Sequence, residues 1–450
     1  MIINIHPSAA NNYNAKADEL IKLIEVFPLE KGNKSSFPSD LHVAASFTEK
    51  DVIGDIEVAT SDYRGNTIQR FFHLNEQRLG LSEDNYKKLR ETAERIQSLP
   101  SVRSMLSCSF VEKKLFSWVS EKYKGLETPD LFIEYLDKEA KDIVKITTSW
   151  IPIANLEVQT AFTVSKSEIR PLSKAVIDQW VTKFESLAGE NKENALKLFE
   201  KIRKEYQGLA AVVTTITAEP EYASDYALEE AQKITAVLGI FSGATLIPDI
   251  KSASNIKGSE NIAQSTIFFE SDKESFQMTS SIIDRASVKY WRLGQRDIIE
   301  IQKTGLDRIS SLLSADSLTD FKKSVLNSLF LYSKSAFTAD PVEKVVYMLS
   351  SLESILLKNE NEPIQQNLAE RIAVFISQEL LERKLIIKTI KSVYGVRSKY
   401  LHHGHTSSEL ELISEFMMHV WVFFIQLLAN VDRFATQAEF VNAIDDHKLS

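Results

Sequence analysis

The residues whose types and spacing could do chemistry lie near the C-terminus. Residues 394–404 read Tyr-Gly-Val-Arg-Ser-Lys-Tyr-Leu-His-His-Gly, and of the chain's eight histidines, His402, His403 and His405 fall five to eight positions after Arg397. A histidine titrates near neutral pH and can take a proton from oxygen or return one. Arginine offers a planar fork of donors that suits phosphate oxygens. Together they suffice for RNA cleavage without a metal. The imidazole removes the proton of a 2′-hydroxyl, that oxygen attacks the adjacent phosphorus, and the guanidinium stabilises the charge that builds on the nonbridging oxygens. The bland alternative is a chance pairing in which a histidine near a helix end satisfies carbonyls or the helix dipole.

The element that must position them is a helix. Ile386, Ile387, Ile390, Val393 and Tyr394 form an apolar stripe, with Lys384, Lys388 and Lys391 on the opposite side. Gly404 stands where helices commonly end in a left-handed residue, and Ser407 or Ser408 can cap the next helix. At about 100° per residue, Arg397 and His402 lie about 140° apart on an ideal helix. They converge on one substrate atom only if the helix is distorted there, or if long side chains or a second subunit close the gap.

The same stretch is locally basic. Arg383, Lys384, Lys388, Lys391, Arg397 and Lys399 are opposed between 381 and 400 by Glu382 alone, although the chain carries a net charge of −9. That net charge argues against a protein that coats nucleic acid with its whole surface, but it allows a local cationic face. Lys388, Lys391 and Lys399 either track an RNA backbone or form a solvated flank. Tyr394 and Tyr400 either stack on a base or belong to the core. A metal site built from His402, His403, His405 and His419 is the weaker alternative, because adjacent histidines rarely reach one ion together and no carboxylate ligand is set nearby. No cofactor and no metal are expected.

Bulk properties set the frame. A chain of 450 residues exceeds what one core usually supports, so two or three domains are expected. With 44% hydrophobic and 26% charged residues it has the composition of an ordinary soluble protein. Only 14 glycines and 11 prolines leave little turn chemistry for an all-β fold. Cys108 is the sole cysteine, which excludes an intramolecular disulfide and a cysteine-based zinc site and fits a reducing cytoplasm. The N-terminus lacks the pattern of a secretory signal. The longest apolar stretch, Phe416 to Val431, includes His419 and Gln426 and reads as a core or interface helix too short for a membrane span.

Along the chain, residues 1–170 read as a mixed strand and helix region. Ala17 to Val26 and 83–104 have helical spacing. Leu41 to Phe47, Val52 to Thr60, Thr67 to Phe72 and parts of Lys141 to Val164 have strand character. Ser107 to Ser120 is ambiguous. Residues 171–296 read as helical, with a hairpin candidate at Ser265 to Glu270 and Ser275 to Thr279. From 297 to 450 only helices are expected, at about 297–315, 318–335, 340–358, 365–383, 384–403 and 408–435. The fold class is therefore α+β: a mixed α/β N-terminal region followed by an all-α helical-bundle domain.

Arg397-Ser-Lys-Tyr-Leu-His402 resembles the R-x4–6-H signature of HEPN domains. Three neighbouring features resemble the ApeA-like branch of that superfamily more specifically. They are Tyr347-Met-Leu-Ser-Ser-Leu-Glu-Ser-Ile-Leu-Leu with its central Glu353, Leu368-Ala-Glu-Arg-Ile-Ala-Val-Phe-Ile, and Ile390-Lys-Ser-Val-Tyr-Gly-Val-Arg-Ser-Lys-Tyr-Leu-His. The resemblance covers roughly residues 300–437. Ser398 stands where many HEPN motifs carry Asn, Asp or His, though it suits the ApeA-like branch. His403 satisfies the wider spacing, while His402 keeps the four-residue gap.

The resemblance implies a helical bundle that forms a homodimer, with two motifs facing one groove. It implies a metal-independent endoribonuclease of anti-phage defence, abortive infection or toxin systems, with RNA, tRNA among the candidates, as substrate. The N-terminal region would sense a phage trigger or hold the nuclease in check, and an antitoxin is a further candidate partner. The arginine and histidine roles pass to Arg397 and His402. Glu353, which by its own pattern is either a solvated helix position or a partner that orients Arg397, takes a supporting role with Ser398 and His403. The alternative is a noncatalytic dimerisation module of the same fold.

Overall fold

The computed structural model describes residues 3–27, 58–61, 67–75, 77–185, 192–259, 264–271, 275–282, 287–288, 291–359, 361–403 and 409–449. The chain divides into two compact units, Met1–Thr147 with Thr215–Tyr226, and Thr148–Thr214 with Ala227–Ser450. Along the sequence the chain leaves the first unit at 147 and returns to it at 215.

The first unit is the mixed region. Helix α1 (Pro7–Ile21) leads to strand β1 (Glu25–Phe27), and β2 (Val58–Ser61), β3 (Thr67–Leu74) and β4 (Gln77–Ser82) complete a sheet of order β1-β4-β3-β2. Its described pairings are antiparallel. Most of the strand-like stretch at 41–60 lies outside the described residues. Helices α2 (Glu83–Gln97), α3 (Cys108–Tyr123) and α4 (Phe132–Ile143) follow. The ambiguous stretch at 107–120 is thus helical: Ser107 Oγ accepts from the Phe110 N–H at 3.0 Å and caps α3. Phe72, Leu79 and Leu81 from the sheet bury against Leu89, Phe116, Trp118 and Phe132 from the helices.

The second unit combines a sheet with the helical C-terminal region. Strands β5 (Lys145–Ala154), β6 (Leu156–Val158), β7 (Phe162–Val164) and β8 (Ser167–Pro171) precede helices α5 (Lys174–Glu185) and α6 (Lys192–Tyr206). Then comes β9 (Ala210–Ala218), a strand that a purely helical reading of 171–296 misses. Its run Val212-Val-Thr-Thr-Ile is β-branched throughout, and the strand lies between β5 and β8 in a five-stranded sheet that also includes β7 beyond β8 and the short strand Asn255–Ile256 beyond β5. Helix α7 (Pro220–Ile240), β10 (Lys251–Ser252), β11 (Asn255–Ile256), the expected hairpin of β12 (Gln264–Ser271) and β13 (Ser275–Ile282), β14 (Ser287–Val288) and β15 (Trp291–Leu293) follow.

From Gln295 onward the described elements are helical: α8 (Gln295–Ile301), α9 (Asp307–Ser314), α10 (Asp320–Lys334), α11 (Pro341–Leu356), α12 (Ile364–Ile376), α13 (Leu380–His403), α14 (Leu410–Ala429) and α15 (Gln437–Leu449). The fold is α+β. The expected boundary at 383/384 lies inside α13. The chain breaks earlier, at Ser377, whose extended backbone ends α12 and whose Oγ accepts from the Glu379 N–H at 3.1 Å and also bonds Glu382. Helix α15 was not anticipated.

The apolar stretch near 416–431 forms α14, which by length and composition would suffice to cross a membrane, contrary to the shorter sequence estimate. In this fold Phe416, Val420, Phe423, Phe424 and Leu427 of α14 pack in the core with Val345, Leu349 and Leu352 of α11 and Ile386, Ile390 and Val393 of α13.

Candidate functional site around Arg397

Two helices build the site. Helix α11 starts at Pro341, where a missing N–H costs nothing, and Asp340 caps it by accepting from the N–H groups of Val342 (2.8 Å) and Glu343 (3.0 Å). Its apolar face, including Val345, Met348, Leu349, Leu352 and Ile355, is buried and leaves Glu353 at the margin of the core. Helix α13 buries Ile386, Ile390, Val393 and Val396. Tyr394 and Arg397, one turn apart, therefore share a flank of α13 beside α11.

Glu353 joins them. Its Oε1 accepts from the Tyr394 hydroxyl at 2.8 Å and from Arg397 Nη1 at 2.8 Å. The arginine and glutamate side chains are 25% and 20% exposed, so this ion pair is neither sealed nor freely solvated. The Arg397 guanidinium carbon lies 5.9 Å from the Tyr394 ring centroid, while Nε is buried and has no hydrogen-bond partner among the described residues. Burial, followed by the charge and hydrogen bond of Glu353, pushes the Tyr394 phenol up, which keeps it a donor at neutral pH.

The backbone of α13 is helical without a break through His403. The distortion that could have brought Arg397 and His402 together within one chain is therefore not seen, and the two positions stay about 140° apart around the axis. His402 and His403 occupy the last turn of α13, but their side chains lie outside the described residues, as do Gly404, His405, Ser407 and Ser408.

The flanking candidates fall on the solvent side. Lys388, Lys391, Ser398 and Lys399 are exposed, and Tyr400 is partly so. The basic stretch is more compensated than its sequence suggests. Besides Glu353, the Glu415 carboxylate of α14 reaches the stretch at Thr389, from which it accepts at 2.9 Å, and the Glu370 carboxyl of α12 is held below its usual range, against burial, by Lys448 first, then Gln366, with Lys391 adding the smallest part. Asp340 and Glu343 push the Tyr400 phenol up, so this tyrosine stands in an acidic neighbourhood. That setting suits base stacking less well than phosphate-binding cations nearby would. Tyr394 is not a free stacking platform, since its hydroxyl and ring are committed to Glu353 and Arg397.

Among the described residues, no group of three or more His, Cys, Asp or Glu side chains is arranged to hold a metal. His419 lies 3.6 Å from Glu415 on the same helix, and burial pushes its imidazole down.

Two features escaped sequence reasoning. The hydroxyl of Tyr394 as a partner of Glu353 is one, and its only sequence trace is the one-turn spacing to Arg397. Lys344 on α11 is the other. It is fully buried and donates to the carbonyls of Ala244, Ile247 (3.2 Å) and Ile250 (2.5 Å). Burial pushes its ammonium down to about 7, with the charge of Asp249 opposing the shift. Nothing in the helical pattern of 340–358 separates this lysine from a solvated one.

In comparisons with known proteins, no family model, no curated protein and no solved structure matches this chain.

Proposed function

We propose that the C-terminal region is a metal-independent RNA endonuclease of HEPN type, acting in defence or as a toxin, with Arg397 as its phosphate-binding residue and His402 as its acid–base residue. The observation that carries this reading is the state of Arg397: a partly exposed guanidinium held at one nitrogen by Glu353, on a helix whose exposed side presents Lys388, Lys391 and Lys399. In the reaction, the 2′-oxygen loses its proton to the base and bonds to phosphorus. The bond from phosphorus to the 5′-oxygen breaks, and a proton is returned to that oxygen, leaving a 2′,3′-cyclic phosphate and a 5′-hydroxyl. Since unbroken helix keeps positions 397 and 402 apart, a homodimer supplies the arginine of one copy and the histidine of the other to one groove.

A noncatalytic interaction module is the second reading, favoured by the same separation and by the engagement of Arg397 with Glu353. Incubation of the full chain with cellular RNA in EDTA separates the two. Cleavage that falls by at least about a hundredfold in both Arg397→Ala and His402→Ala, with folding intact, supports the nuclease. Unchanged cleavage in both variants removes the site assignment. No cleavage by the wild type with any RNA offered favours the module.

A further inference from the structure

The second unit contains an arginine that shows what complete pairing looks like. Arg371, 5% exposed, reaches both oxygens of Asp445 with Nε (2.9 Å) and Nη2 (3.0 Å), and Nη1 meets the Leu356 carbonyl (2.7 Å) and Glu362 (2.7 Å). This is the two-point fork that a guanidinium and a carboxylate ordinarily prefer. Arg397 does not form it. Glu353 offers a carboxylate of the same kind at the same distance, yet Nη1 meets only Oε1, and Nε stays buried and unpaired among the described residues. A buried donor without a partner is costly, so something must hold the carboxylate away from the fork.

The Tyr394 hydroxyl is the group placed to do so, since it donates to the same Oε1 that Arg397 uses, from the side of α13. We propose that Tyr394 is a positioning residue that keeps Glu353 in one-point pairing with Arg397, so that the outer guanidinium nitrogens, as distinct from the buried Nε, retain donors for a phosphodiester group of an RNA strand. The proposal rests on the nuclease reading and adds to it the element that sets affinity. Without the hydroxyl, the carboxylate turns, both oxygens engage the guanidinium, and a phosphate must displace a two-point partner.

The test is equilibrium binding of a fluorescein-labelled 2′-O-methyl oligoribonucleotide, which cannot undergo attack by its own 2′-oxygen, to the full chain at one fixed salt concentration. Tyr394→Phe is expected to weaken binding about tenfold. In a Glu353→Gln background, where no anionic lock can form, the same substitution is expected to leave binding unchanged, a coupling that general loosening of the helix would not produce. Equal weakening in both backgrounds overturns the proposal. So does wild-type binding by Tyr394→Phe when Arg397→Ala binds weakly, a result that leaves the nuclease reading standing. If Arg397→Ala binds as the wild type does, Arg397 is not the phosphate contact, and both the reading and the proposal fall.

Discussion

Each unit contains a glutamate that accepts from one arginine and one tyrosine, and the two clusters differ mainly in burial. In the first unit, Glu112 Oε1 accepts from Arg70 Nε at 2.8 Å and from the Tyr86 hydroxyl at 2.7 Å, with the arginine and glutamate side chains only 13% and 10% exposed. In the second, Glu353 Oε1 likewise accepts from the Tyr394 hydroxyl and from Arg397, here through Nη1, at twice that exposure. Identical chemistry therefore serves two ends. The Glu112 cluster ties β3 to α2 and α3 inside a core, where an unpaired charge is strongly disfavoured. The Glu353 cluster lies at a core margin, where nearby water screens the pair and its loss costs less.

The largest expected effect follows from breaking the sealed cluster. Glu112→Ala leaves Arg70 without its buried partner and should cost about 3–5 kcal/mol in a urea titration. A loss below about 1 kcal/mol would make the two clusters energetically alike and remove the contrast.

Next comes Arg371, whose fully occupied fork is the standard for Arg397. Asp445→Asn should cost about 2 kcal/mol near neutral pH. Its pH dependence has a defined sign. Arg371 first, then Lys358, hold the Asp445 carboxyl below its usual range, and Glu362 is likewise lowered, chiefly through the Lys358 N–H and Arg371 against an opposing burial effect. Depressed native values contribute stability above the unfolded values of about 4, and that stability is lost as pH falls through the native ones. The acid limb of the stability profile should therefore be flatter in Asp445→Asn than in the wild type.

A smaller effect is expected at the alkaline end. Burial, then the Glu112 hydrogen bond and charge, push the Tyr86 phenol up. A raised native value contributes stability below about pH 10 that is lost as pH rises through the native value. Tyr86→Phe should lower stability at pH 8 by about 1 kcal/mol and flatten the decline above pH 10, measured by denaturant titration across that range. The smallest change belongs to Glu353→Gln, which keeps the shape of the side chain at a part-exposed site and should alter stability by no more than about 1 kcal/mol in the same assay.

Much of this could be read along the chain. The helical character of 297–450 and the hairpin at 265–279 follow from apolar period and β-branched content, which are local properties. Strand β9 was hidden because its nine residues lie between two helices and their period was absorbed into the helical trend. The start of α13 does not follow from its apolar stripe, because its opening leucines Leu380, Leu381 and Leu385 are 64%, 76% and 60% exposed and belong to no core face. At the site, the spacing of Arg397 and His402 and the placement of Glu353 on its own helix were legible. The bond between Glu353 and Tyr394 was not, since 41 residues separate them and only the approach of α11 to α13 brings them within reach.

The sequence by itself determined the helical character of most of the C-terminal region, the apolar faces of its helices, and where arginine, histidine and lysine are concentrated, because these depend on side-chain type and period alone. Tertiary structure decided which partners those side chains meet. It placed one Arg–Glu–Tyr cluster in a core and the other at a margin, sealed Lys344 among three carbonyls, and left Arg397 held at one nitrogen. The reason is physical: a hydrogen bond depends on distances of a few tenths of an ångström between groups far apart in the chain, and packing, unlike periodicity, sets those distances.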